Sequence, residues 1–133
     1  MSVEPKYLYL TTIGRRSGRP RRIEIWFTRH AGRYYLIAEH GLRAGWVQNL
    51  LADPAVRARV GTRRFRARAR VVERAAEREL VATVRALLEA KYGWGDGLVV
   101  EISPSRRTAP RARARSPRPR SARRRREAGR PRR

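Results

Sequence analysis

The chain has 133 residues, with 34 Lys or Arg against 11 Asp or Glu, a formal net charge of +23 and no cysteine. One domain with a modest core fits that length, while disulfides, thiolate ligands and a Cys nucleophile are excluded. Two histidines, His30 and His40, point to no metal site, and neither a membrane-length apolar run nor a signal-like start is present, so a soluble, cytoplasmic protein is expected.

Tyr7 to Thr12 is short, aromatic and β-branched, and predicts a strand. Gly14 to Arg22 (GRRSGRPRR) follows as a loop, marked by two glycines and a proline. Ile23 to Thr28 and Tyr34 to Ala38 predict a hairpin with a tight turn at Ala31-Gly32. Trp46, Val47, Leu50 and Leu51 lie on one face of a short helix over Ala44 to Leu51, which Asp53-Pro54 ends.

Val56, Ala58 and Val60 then alternate with Arg57 and Arg59. Across Gly61-Thr62, Phe65, Ala67, Ala69 and Val71 alternate with Arg64, Arg66, Arg68 and Arg70. Both stretches predict half-buried strands. The second stripe is read as a solvated face, although a row of arginines also suits a nucleic-acid backbone. Glu73 to Tyr92 predicts the main helix, with Leu80, Val84, Leu87 and Leu88 on its apolar face. Gly93 to Gly97 (GWGDG) breaks it, and Leu98 to Ile102 predicts a last strand.

Residues 104–133 hold 14 Arg and one acid, Glu127, and so 13 of the 23 net positive charges. They lack aromatic and large aliphatic residues that could offset the entropy of ordering. The domain is therefore expected over residues 1–103, with a disordered tail over 104–133. Such a tail attracts nucleic acid through charge, without base specificity; an extension with no role is equally open.

Four segments occur in a telling order: TTIGRRSGRPR (Thr11 to Arg21), GRYYLIA (Gly32 to Ala38), WVQNLLADP (Trp46 to Pro54) and FRARARVV (Phe65 to Val72). Together they resemble the deazaflavin-dependent nitroreductase family, a branch of the split β-barrel flavin-binding superfamily that includes pyridoxamine phosphate oxidases. The resemblance implies a mainly β (α+β) fold, a six-stranded antiparallel split β-barrel with one longer and one short helix. It implies binding of reduced coenzyme F-420, an 8-hydroxy-5-deazaflavin, and hydride transfer to a small acceptor such as a quinone or nitro compound. FMN is the alternative cofactor, and a homodimer is the implied assembly.

The resemblance also assigns roles. Arg15, Arg16, Ser17, Gly18 and Arg21 belong to the loop that would hold the cofactor phosphate, and guanidinium forks beside converging N–H groups suit that task. Ala38, Trp46 and Asn49 would stand beside the cofactor, and Tyr92 would be the catalytic phenol, donating or relaying a proton. For Trp46 a core position is equally open, and for Tyr92 a purely structural one. Glu39 and His40 depart from the family pattern after the third strand. Trp26 and Phe27 suit either the ring site or a subunit contact. No Ser/His/Asp set or paired carboxylates compete with the oxidoreductase that the resemblance implies, which stands ahead of a polyanion-binding protein and of a cofactor carrier or sensor.

Overall fold

A computed structural model describes residues 4–105. It contains seven strands, β1 (Tyr7–Ile13), β2 (Pro20–Trp26), β3 (Thr28–His30), β4 (Arg33–Ala38), β5 (Ala55–Val60), β6 (Arg63–Val72) and β7 (Leu98–Pro104). Two helices, α1 (Gly45–Ala52) and α2 (Arg78–Tyr92), and a short 3₁₀ turn at Gly41–Arg43 complete it. The strands form one antiparallel sheet in the order β2-β1-β5-β6-β7-β4-β3.

The two edges of this sheet, β2 and β3, are separated in the chain by Phe27 alone. A sheet whose edges are one residue apart must curl until they meet, which is the split barrel. Seven strands replace the six expected because Ile23 to Thr28 is not one strand. β2 pairs with β1, whereas Thr28 pairs with Tyr35 of β4, so the expected hairpin is confined to β3 and β4. Its turn is at Ala31 and Gly32, both at positive φ, which matches strand twist in a two-residue connection.

Phe27 is fully buried, and its backbone groups at the split are met by the end of α2. Its N–H donates to the Tyr92 hydroxyl at 3.2 Å, and its carbonyl accepts from Lys91 Nζ at 3.2 Å. An unpaired peptide inside the protein would otherwise lose its hydrogen bonds with no return.

Alternation along the strands sorts the side chains. Leu8, Leu10, Leu36, Val100 and Ile102 point inward and meet Val47 and Leu50 of α1. Tyr35, Ile37, Val72 and Val99 point outward and are covered by Val81, Val84 and Leu88 of α2. α2 begins at Arg78, not at the expected Glu73. Residues 73–77 carry no large apolar side chain to bury, and they form the turn that brings the chain back over the sheet, with Glu77 N–H donating to Glu73 O at 3.0 Å. β2 begins at Pro20, which shortens the expected loop. β7 runs to Pro104, one residue past the expected boundary at 103, and Ser105 N–H still bonds Arg66 O at 2.9 Å. From 106 onward the expected tail lies outside the described residues.

Candidate functional site

The loop between β1 and β2 is built on its own backbone. Gly14 N–H donates to Arg19 O and Gly18 N–H to Gly14 O, both at 2.8 Å, and Arg19 N–H donates to Ser17 Oγ at 3.1 Å. Gly18 sits at φ +71, a conformation that favours glycine. The compact turn leaves Arg15, Arg16, Ser17 and Arg19 exposed, and Arg21 follows at the start of β2, opposite Thr12.

Arg15 is fixed by a buried amide. Asn49 Oδ1 accepts from the Arg15 backbone N–H at 3.1 Å and from its Nη1 at 3.0 Å, while Asn49 Nδ2 donates to Thr12 Oγ1 at 3.1 Å. Thr12 and Asn49 are both buried, so this network ties the exposed loop to β1 and α1 through a buried amide. Asn49 thus positions an arginine instead of presenting its oxygen to open space. Arg15 Nη1 also reaches Gly45 O at 3.4 Å. α1 begins there, and its N-cap residue, Ala44, supplies no side-chain cap. The first N–H groups of a helix have no intrahelical partner, so a guanidinium and the positive end of a helix dipole converge beside the loop.

Next to that helix start lies a cavity of about 550 Å³. Ala44 and Trp46 of α1, Trp26 of β2, Leu88 of α2, Trp94 and the end of β4 from Ile37 to His40 form its wall. Trp26 meets Trp94 edge-on at 6.0 Å between centroids. Gly97 (φ +131) lets the chain return close to β4: a Cβ there would sit 2.5 Å from Ala38 O, so no larger residue fits without moving the cavity wall. Tyr7, Glu24, Glu39 and His40 are the ionisable side chains facing the space among the described residues.

Tyr92 stands behind Trp26 and outside the cavity wall, stacked on it at 4.5 Å with 10° between planes. Its hydroxyl lies 2.6 Å from Lys6 O and 3.1 Å from Phe27 O and accepts from Phe27 N–H, so its hydrogen-bonding capacity is taken up by backbone. The structure therefore brings Ala38 and Trp46 to the cavity, joins Arg15 and Asn49 beside the start of α1 but outside the cavity lining, and turns Tyr92 towards the barrel seam. Trp26 in the wall was legible as an aromatic candidate. Ile37, Leu88 and Glu24 were not, since each sits in an ordinary strand or helix pattern. Thr12 had a signal: it is a polar residue at an inward position of β1, in register with Leu8 and Leu10.

Among solved structures, HutZ, the heme storage protein from Vibrio cholerae, is 23% identical over 76% of this chain and 82% of its own, with a TM-score of 0.62. A pyridoxamine 5'-phosphate oxidase-like protein from Listeria innocua is 13% identical over 76% and 85%, with a TM-score of 0.60. A protein described as an F420-H2 dependent reductase is 22% identical over 77% of this chain and all of its own, with a TM-score of 0.53. These likenesses bear out the split-barrel fold. A search of curated proteins finds no match. The sequence model of the F420H(2)-dependent quinone reductases matches residues 2–95, from β1 through the Arg15 loop and α1 to the end of α2, and the chain belongs to that family.

Proposed function

We propose that the tryptophan-walled cavity receives the ring of reduced coenzyme F-420, that the Arg15 loop receives its phosphate, and that the electron acceptor is a quinone-type small molecule. Membership of the family makes the chain an F-420-dependent oxidoreductase. The observation that carries the residue roles is Arg15, pinned by buried Asn49 and bonded to Gly45 at the uncapped start of α1, between the cavity-lining residues Ala44 and Trp46.

The donor set fits such a group. A phosphate needs cations and N–H donors, which Arg15, Arg16, Arg19 and the first turn of α1 offer. A flat tricycle needs an apolar slot, and a cavity of about 550 Å³ with Trp26, Trp46 and Trp94 in its wall is of the right size class. Glu24 and Glu39 face the same cavity and disfavour an anion near them, so charge alone directs the phosphate to the arginine end.

When bound, the reduced deazaflavin supplies a hydride. The chain's own task is orientation and exclusion of water. Trp46 and Ala38 bound the slot, and Asn49 holds Arg15 so that the phosphate anchor does not drift. Reduction of a quinone also consumes a proton, and His40 is the cavity side chain placed to pass one to the acceptor. Tyr92 is a positioning residue here: it fixes Trp26 and closes the seam. Two copies are expected to pair near α1, where Leu42 and Leu51 are the large exposed apolar side chains among the described residues.

Tryptophan quenching by reduced F-420 tests the reading on the full chain, with FMN as the rival ligand. Saturable quenching that weakens about tenfold in Arg15→Ala, a loss of about 1.4 kcal/mol, supports it. Tight binding of FMN with none of F-420, or equal F-420 affinity in the variant, overturns the assignment of the site. Light scattering decides the pairing.

A further inference from the structure

We propose that the bare outer face of β2, β1, β5 and β6 is a second binding surface, which grips the phosphodiester backbone of single-stranded nucleic acid without reading its bases. Strand register creates it. Thr11 stands opposite Arg22 and Arg57, Arg57 opposite Arg66, and Arg59 opposite Arg64. These side chains, with Arg68, leave the same side of four neighbouring strands, while Leu10, Ala58 and Ala67 between them point into the core. A depression of about 470 Å³ opens among them, with Tyr9 and Thr11 in its lining.

The charge on this face is unbalanced. Among the described residues no carboxylate bridges Arg22, Arg57, Arg59, Arg64, Arg66 or Arg68. Of the nearby acids, Glu24 stands opposite Tyr9 at the margin of this face and accepts from its hydroxyl at 2.7 Å, and Asp53 accepts from Ala55 N–H at 3.1 Å. Like charges directly opposite on antiparallel strands destabilise a sheet, so the Arg57–Arg66 and Arg59–Arg64 pairs carry a repulsion that a bound anion removes. The next arginine along β6 differs: Arg70 is bridged to both Glu77 and Glu101.

Geometry selects the anion. Alternate residues on a strand stand about 6.8 Å apart and neighbouring strands about 4.8 Å apart, so the guanidinium forks make a grid suited to many phosphates in series. A lipid surface is a poorer match, because the exposed apolar side chains able to insert, Leu42 and Leu51, lie on the 3₁₀ turn and α1. The outer face of a curled sheet is convex, which a flexible single strand can follow and a stiff duplex meets over a short arc. Arg59 and Arg22 lie over the Tyr9 ring at 4.4 and 5.2 Å from its centroid, and contacts made to phosphates carry no sequence information.

The test is the salt dependence of binding of a labelled oligothymidine to the full chain. The fourfold variant Arg57→Gln, Arg64→Gln, Arg66→Gln, Arg68→Gln is compared with one in which four tail arginines, Arg123 to Arg126, become Gln. Losing four phosphate contacts makes the slope of log K against log salt shallower by about 2.8. That loss is expected from the face variant in either tail background. An unchanged slope overturns the proposal and leaves any binding to the tail. Anionic phosphatidylserine vesicles that lose binding in the face variant, while the oligomer does not, overturn it in favour of a membrane. A slope change of about 3.6 or more with duplex, where each lost contact weighs about 0.9, would mean that at least as many contacts are made to duplex and overturns the choice of strand. Arg66→Gln alone, with an expected change of about 0.7, serves if the fourfold variant does not fold.

Discussion

One outer half of the barrel lies under α2 and the other lies bare, and β6 passes through both. Its inward positions are alike throughout, with Phe65, Ala67, Ala69 and Val71 all reaching the core. Its outward positions change along the strand: Arg64, Arg66 and Arg68 face open solvent, Arg70 is bridged to Glu77 and Glu101, and Val72 is buried beneath the helix. Burial of a strand's second face is therefore decided by its outward residues alone. Where neighbouring strands add Tyr35, Ile37 and Val99, a helix gains by covering them; where they add Arg57 and Arg59, it would have to desolvate charge.

The covered half should be the more fragile. Leu88 is 2% exposed, packs in the α2 cluster and also forms part of the cavity wall. Leu88→Ala is expected to lower stability by about 2 to 4 kcal/mol, measured by urea unfolding, and to weaken coenzyme binding as the wall recedes. Since the loss is apolar, it should not change with salt. Full stability in the variant would mean that α2 covers the sheet without holding it.

The border between the halves is electrostatic. Burial alone would raise the Glu101 pKa, but hydrogen bonds from Arg70 and Tyr35 outweigh it and hold the carboxyl below the usual range. Arg70 likewise lowers that of Glu77. Burial, and then the bond to Glu101, pushes the Tyr35 phenol up to about 12. Depressed carboxylates contribute stability that is present above their unfolded pKa, about 4.3, and lost as pH falls through their folded values. The raised phenol acts at the other end: its contribution is present below about 10 and is lost as pH rises towards the folded value. Thermal unfolding should thus weaken in acid below about pH 4. Glu101→Gln should cost about 1 to 2 kcal/mol at neutral pH and flatten that acid limb. An unchanged acid limb would show that other carboxylates control it.

At the seam, Tyr92→Phe removes a hydroxyl shared by Phe27 and Lys6 backbone groups. A loss of about 1 kcal/mol is expected, with the pH profile of turnover unmoved; a lost protonation step in that profile would restore the relay expected from sequence. This seam marks the limit of what was legible. Two-residue periodicity exposed β5 and β6, and the apolar spacing of Leu80, Val84 and Leu88 exposed α2, because both signals are local. The break at Phe27 depends on two sheet edges meeting, and the Asn49 network depends on Thr12, 37 residues away in sequence, so neither leaves a local pattern. The arginine loop is visible from its glycines, but the bonds from Asn49 to Arg15 and Thr12 leave no local pattern, because those partners lie far along the chain.

On the bare half the expected change is the smallest, and its sign is reversed. Arg66 faces Arg57 across the β5–β6 pair, is exposed, and has no carboxylate partner among the described residues. Gln keeps much of the side chain's length and removes the repulsion, so Arg66→Gln should stabilise the free protein by about 0.2 to 1 kcal/mol. The gain should shrink as added salt screens the pair, unlike the loss in Leu88→Ala. In the presence of oligothymidine the order should invert, because a bound polyanion stabilises the original chain more than the variant by mass action. Melting curves with and without the oligomer, at low and high salt, separate the two effects. If Arg66→Gln lowers the melting temperature at every salt concentration without ligand, the arginine face is not under repulsive strain, and the contrast between the two halves reduces to packing alone.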